Sequence, residues 1–313
     1  MKIDYKKTAK FVSKLLISLA FVVWLVLETN WGEVIGHVQK ISIFHVVAYV
    51  AVLLAGMVIS AWKWKMLLAH KEIAISLKES FQLYLTGAFI NNFMPSTIGG
   101  DTYRTYQVGK NNDRRYASVA SSVVFDRFTG LFSVMLLTGL VAIFQWDEIS
   151  RHSELKSAVV AVLLLMHAII FLGIAVRFSF WKKIANKFPK FVQQFASEFL
   201  QYRQGGAYLK AIGISILFSL VGLALVNGIL FLGLGIEIGL MQYLSVIFLI
   251  SIITALPISI NNIGVKEWAY VTFFGFFGVP ASAVVTVALV SRALQMSVSF
   301  SALPAYLKSK KKE

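Results

Sequence analysis

The chain has 313 residues, of which 58% are hydrophobic and 14% charged, with a net charge of +15. Soluble domains carry about a quarter charged residues, so this composition excludes a water-covered globule and points to an integral membrane protein. Cysteine is absent, which excludes disulfides, thiolate nucleophiles and cysteine-held metals. The basic residues fall in short segments between apolar runs, a pattern of membrane topology rather than of nucleic-acid binding.

The chain begins Met1-Lys2-Ile3-Asp4-Tyr5-Lys6-Lys7 and turns apolar from Leu15 to Leu27. No small-x-small cleavage site precedes Glu28-Thr29-Asn30-Trp31, so the segment reads as a retained first helix rather than a removed signal peptide. Full spans are expected near 11–27, 43–61, 117–144, 157–176, 210–234 and 281–303, which approach or exceed the ~20 residues that cross a ~30 Å hydrocarbon core. The segments 1–14, 62–78, 104–115, 177–210 and 308–313 hold 24 of the 30 Lys and Arg residues. The segments 28–42, 145–156 and 235–239 are mainly acidic. By the positive-inside rule both termini lie in the cytoplasm of a cell (inner or plasma) membrane, and six crossings are consistent with that. Segment 178–207 interleaves aromatic residues with Lys182, Lys183, Lys187 and Lys190, and reads as an amphipathic helix on the anionic inner leaflet. His37, His45, His70, His152 and His167 are scattered without ligand spacing, so neither a metal nor another cofactor is expected.

Two apolar segments, 77–103 and 240–279, are interrupted. The first reads Phe89-Ile-Asn-Asn-Phe-Met-Pro-Ser-Thr-Ile-Gly-Gly-Asp-Thr-Tyr-Arg104, the second Ala255-Leu-Pro-Ile-Ser-Ile-Asn-Asn-Ile-Gly-Val-Lys-Glu267. Pro95, Gly99, Gly100, Pro257 and Gly264 are the expected hinge positions, because proline removes a backbone donor and glycine frees the chain to bend. Unwound backbone in a membrane persists only where it is buried in protein or lines a wet cavity. Both segments are therefore expected to be re-entrant hairpins. Arg127 follows Gly99 by 28 residues and Arg292 follows Gly264 by the same 28. With the two segments leaving from opposite sides, the pattern suggests an all-α inverted repeat, a first half 1–144 and a second half 155–305 of one membrane domain, 1–313.

Charges buried in a membrane cost at least ~2.5–3.5 kcal/mol each on insertion scales and usually serve function. Arg104, Arg127, Lys266 and Arg292 are candidates to hold an anionic headgroup, arginine because its planar fork matches phosphate. Asp101, Asp126 and Glu267 are their candidate partners, with Asp126 facing Lys266 or Arg292, and Arg104 facing Asp101 or Glu267. Asn91, Asn92, Asn261 and Asn262 are read equally as caps of broken helix ends or as ligand contacts.

Pro95-x-x-x-Gly99-Gly100-Asp101-x-x-Arg104, Asp126-Arg127, Gly264-Val265-Lys266-Glu267 and Arg292, in this order, resemble the lysylphosphatidylglycerol synthase transmembrane, or flippase-like, family. That family includes the membrane half of multiple peptide resistance factors. The resemblance runs over roughly 10–305 and implies movement of a polar lipid between leaflets: an anionic phospholipid, a glycolipid or a polyprenyl-phosphate lipid. The chain ends at Lys310-Lys311-Lys312-Glu313, so no soluble aminoacyl-transferase domain and no lysyl transfer are expected. No P-loop pattern is present, which leaves passive or ion-coupled transport. A membrane-embedded lipid-modifying transferase using Asp101 with Arg104 is the alternative, as is a non-transporting partner subunit of a lipid-modifying complex. Assembly as a homo-oligomer is left open.

Overall fold

In the computed structural model, residues 5–94, 98–175, 190–256 and 258–310 are described, and all their regular elements are helical. Helices α1 (Tyr5–Glu28) and α2 (Trp31–Lys40) meet at a bend of 85°. The bend falls at Asn30, whose side chain caps α2 by accepting from the Glu33 amide at 3.4 Å. Next come α3 (Ile43–Ala69), α4 (Leu77–Asn91), α5 (Gly99–Lys110), α6 (Tyr116–Arg151), α7 (Ser153–Ala175) and α8 (Lys190–Leu200). A 3₁₀ turn leads into α9 (Ala207–Phe218), which continues through a π-helical stretch, Ser219–Leu225, into α10 (Val226–Gly233). The chain closes with α11 (Leu240–Ala255), α12 (Val265–Gly275), α13 (Ala281–Phe300) and α14 (Leu303–Lys310).

Among the described residues, five segments are long and apolar enough to cross a membrane: α3, Tyr116–Ser150, Ser153–Leu172, Ala207–Gly233 and α13. The bent α1–α2 pair makes a sixth if its two arms count as one span. The fold is thus the expected all-α bundle. Helix α3 runs eight residues beyond the apolar run that ends at 61, because Lys63 and Trp64 are buried against α6 rather than exposed in a loop. The basic start of the expected surface helix, 178–189, lies outside the described residues, as do Pro95 and Pro257. From Lys190 the chain is helical to Leu200 and then turns before α9.

Each interrupted segment is a pair of short helices packed on one another, α4 with α5 and α11 with α12. They have 15, 12, 16 and 11 residues. Each is shorter than the ~20 residues a full crossing needs, which fits paired half-helices. Glycine is required at both returns. A Cβ on Gly100 would sit 2.4 Å from the Gly87 carbonyl oxygen, so α4 and α5 cross backbone to backbone. Gly264 has φ +81° and a Cβ there would lie 2.3 Å from Phe21 Cβ of α1. The long helix α6 forms the scaffold, packing against α5, α7, α8, α9 and α11. The main apolar core is shared among α6, α11, α12 and α13, with Met135, Phe248, Phe274 and Val284 fully enclosed.

The two hairpins are followed by comparable helices. Arg127 is the twelfth residue of α6 counted from Tyr116, and Arg292 is the twelfth of α13 counted from Ala281.

Candidate functional site

The charges singled out in the apolar segments separate into two clusters, one at each hairpin, all partly or fully buried except Arg127, which is half-exposed. In the first, Asp101 opens α5 and pairs with Arg104 one turn on, Nη2 to Oδ1, at 2.7 Å. Its other oxygen accepts from Arg127 Nε of α6. Asp126 lies one residue away on α6 but faces a different direction, as helix neighbours do at about 100° per residue. It pairs with Lys63 of α3 at 3.0 Å, accepts from the Tyr84 hydroxyl of α4, and stands 3.9 Å from Arg104. Lys63 also donates to the Asp126 carbonyl at 3.0 Å and to Ser215 Oγ of α9 at 2.8 Å. Arg104 is 4% exposed, with its guanidinium carbon 4.0 Å from the Tyr84 ring centroid and 4.8 Å from that of Trp64. The ring faces attract the cation where hydrogen-bond partners run out. Two carboxylates thus hold three cations, which ties α3, α4, α5, α6 and α9 together.

The second cluster is built differently. Glu267 opens α12 and is 2% exposed. One of its oxygens accepts from Arg292 Nη2 at 2.8 Å, the other from the Gly264 amide at 2.8 Å. Arg292 of α13 also donates to the Asn261 and Asn262 carbonyls at 3.0 and 3.2 Å. Those two residues have φ of +48° and +56°, so the turn exposes backbone oxygens that a helix would have used, and a cation satisfies them. Lys266 donates to Ser291 Oγ at 2.7 Å and lies 5.6 Å from the Tyr270 ring centroid. No carboxylate among the described residues pairs with it.

Lys266 and Arg292 face a cavity of about 250 Å³. Its wall takes in Asn92 from the first hairpin, Asn261 and Asn262 from the second, and Gly222 and Leu223 of the π-helical stretch. The two breaks therefore meet at one polar hollow. π-Helical turns are uncommon and often stand at functional sites. Asn227, just beyond the turn, accepts from Tyr270 at 3.1 Å and donates to the Leu223 carbonyl at 2.9 Å.

The residues singled out in the sequence are thus distributed. Lys266, Arg292, Asn92, Asn261 and Asn262 border the cavity, and Glu267 supports Arg292 from behind. Asp101, Arg104, Asp126 and Arg127 form the ion-pair cluster between α5 and α6. Asp126 meets Lys63 rather than Lys266 or Arg292. Asn91 closes its hairpin, its Oδ1 accepting from the Gly100 amide at 2.7 Å. Gly99 and Gly100 start α5, and Gly264 precedes α12. Lys63 went unnoticed because Trp62-Lys63-Trp64-Lys65 reads as the polar end of a span. Gln295 and Asn227 went unnoticed because a single amide in an apolar run carries no periodic signal.

A family model described as the lysylphosphatidylglycerol synthase TM region matches residues 11–301. A UPF0104 membrane protein of Methanothermobacter thermautotrophicus is 22% identical over 303 residues, covering 89% of each chain. A UPF0104 membrane protein of Methanocaldococcus jannaschii is 23% identical over 313 residues, covering 91% of this chain and 90% of the relative. No solved structure matches the chain.

Proposed function

The chain belongs to the lysylphosphatidylglycerol synthase transmembrane-region family, and on that premise we propose that it moves a lipid with an anionic headgroup between leaflets by way of the cavity where its hairpins meet. The observation that carries this reading is Lys266. It is an ammonium with a hydroxyl for a partner and no carboxylate among the described residues, at the wall of a polar hollow. An uncompensated charge among apolar spans is costly and is retained where a ligand of opposite sign completes it. Arg292, held in place by Glu267 and the turn carbonyls, adds a second cation at the wall. Lipid tails would stay in the bilayer while the headgroup occupies the hollow.

Paired half-helices ending in one hollow also support an inverted-repeat transporter plan, with halves 1–144 and 155–305. In this reading both termini are cytoplasmic in a cell membrane, and α8 lies against the inner leaflet.

The test uses purified protein in liposomes doped with a fluorescent anionic phospholipid. Leaflet exchange should exceed that of protein-free vesicles. It should fall about tenfold in Lys266→Gln, the equivalent of about 1.4 kcal/mol on the barrier to transfer, and persist in Lys266→Arg. Absence of exchange for every phospholipid and polyprenyl phosphate tried would refute the reading.

A further inference from the structure

We infer that Lys266 takes up one proton each time an anion enters the hollow and gives it back when the anion leaves, so that movement of the anion is coupled one to one to a proton. The inference rests on the transport reading and names what drives it.

Each charge cluster holds a lysine, and the two lysines have opposite surroundings. Lys63 stands 3.0 Å from a carboxylate oxygen of Asp126, which fixes its charge. Lys266 has the Ser291 hydroxyl at 2.7 Å and the Tyr270 ring at 5.6 Å, and no carboxylate among the described residues. Ser291 gives its own proton to the Ala288 carbonyl at 2.9 Å and is left as an acceptor. A hydroxyl oxygen accepts from a neutral amine as well as from an ammonium, so this partner suits both protonation states.

The other groups around the Lys266 amine hold their charge. Arg292 of α13 carries a guanidinium, which does not deprotonate. Glu267 accepts from Arg292 through one oxygen and from the Gly264 amide through the other. The Tyr270 hydroxyl of α12 donates to Asn227 at 3.1 Å, that of Tyr49 in α3 to the Ser291 carbonyl at 3.3 Å, and that of Tyr243 in α11 to the Ala224 carbonyl at 2.6 Å. The first hairpin and the π-helical stretch add Asn92, Gly222 and Leu223, which do not titrate. Glu267 and Arg292 cancel, so the charge of the empty hollow is the charge of Lys266.

An ammonium without a counter-ion, beside a guanidinium and in a small space among apolar helices, is repelled and poorly solvated. The neutral amine is the favoured state there. An arriving anion reverses the balance, because it pairs with the ammonium and not with the amine. The Nζ lone pair then takes a proton from water on the side of loading and returns it to water on the side of release. The empty hollow with an amine and the filled hollow with an ammonium and a single negative charge are both neutral. A permanently charged site would instead return empty with a net positive charge, at a cost of at least ~2.5 kcal/mol on insertion scales. Movement is therefore electroneutral, driven by a pH difference and indifferent to membrane potential.

Two measurements test this. In the first, purified full-length chain in nanodiscs of a zwitterionic choline lipid is titrated calorimetrically with short-chain phosphatidylglycerol, whose phosphodiester keeps one negative charge throughout. Buffers of differing ionisation enthalpy, from about pH 6 to about pH 9.5, report the protons taken up. Uptake should rise toward one proton per anion at the alkaline end, where affinity should fall by nearly tenfold per pH unit. Lys266→Arg should bind without uptake and with a flat pH profile, since a guanidinium keeps its proton. In the second, liposomes carry a trace of labelled phosphatidylglycerol. A pH difference should gather the label in the leaflet facing the alkaline side, by up to about tenfold per pH unit, and a potassium diffusion potential should not move it. With Lys266→Arg the distribution should follow the potential and ignore pH. Binding by the unaltered chain with no proton uptake anywhere in the range overturns the inference, whether or not the variant folds, and so does uptake that survives in Lys266→Arg. Absence of binding at every pH overturns it together with the transport reading. Uptake without leaflet exchange leaves the proton linkage standing and removes the transport reading, and exchange without uptake does the reverse.

Discussion

Asp126 holds Lys63 by ion pair and Tyr84 by hydrogen bond, and it stands 3.9 Å from Arg104. Lys63 and Arg104 are 5% and 4% exposed, so neither cation can turn to water when the carboxylate goes. Asp126→Ala should therefore cost on the order of 3–5 kcal/mol, the range for breaking one side of a buried pair. A thermal melt of the purified variant in detergent checks this; an unchanged midpoint would mean that the cations find other partners. Legibility at this scale was uneven. Asp101, Arg104, Asp126 and Arg127 stood out because charge in an apolar setting is rare. The pair of Arg104 with Asp101, three positions apart on one helix, was among those expected; that of Asp126 was hidden, since Lys63 is 63 positions from it and no local rule joins them.

At the scale of elements, the interruptions were readable because glycine and paired asparagines mark departures from helical backbone. Asn261, Asn262 and Gly264 do adopt positive φ. The docking of α8 was not readable, because its anchor lies in a distant turn. Lys71, just beyond α3, donates to Glu198 Oε2 of α8 at 2.9 Å and to Gln201 Oε1 at 2.7 Å, and lies 4.7 Å from the Tyr202 ring centroid. Burial pushes the Glu198 carboxyl up, but the hydrogen bond and charge of Lys71 outweigh it and hold the group below the usual carboxylate range. For Lys71 itself burial prevails, and its ammonium is held below the usual lysine range. A depressed carboxylate pKa stabilises the folded state above the ordinary value of 4.5, and that stability is lost as pH falls through the depressed one. Amide exchange in Lys190–Leu200 should accordingly quicken as pH is lowered past 4.5, after correction for intrinsic rates. In Glu198→Gln that acid dependence should vanish and α8 should exchange faster already at neutral pH. An acid response that survives the substitution would assign it to other groups.

For the whole molecule, the proposed orientation rests on the distribution of charge. The absence of cysteine makes single-cysteine labelling clean. In intact cells an impermeant maleimide should react at Glu33→Cys and Asp147→Cys and leave Lys78→Cys untouched until the membrane is opened. All three positions are exposed, so lack of reaction reports sidedness rather than burial. The reverse pattern would invert the assigned topology.

The amino-acid sequence alone determined that this chain is a helical membrane protein with about six spans, where its half-helices break, and which charges are out of place. These features are local: hydrophobic run length, backbone chemistry of glycine and asparagine, and the cost of charge in an apolar run. Tertiary structure alone decided that the charges form two separate clusters, that Lys63, Arg104, Arg127 and Arg292 have carboxylate partners while Lys266 has none among the described residues, and that both hairpins reach one hollow. Those are properties of helix packing, in which residues tens to hundreds of positions apart acquire a shared environment that no window of sequence contains.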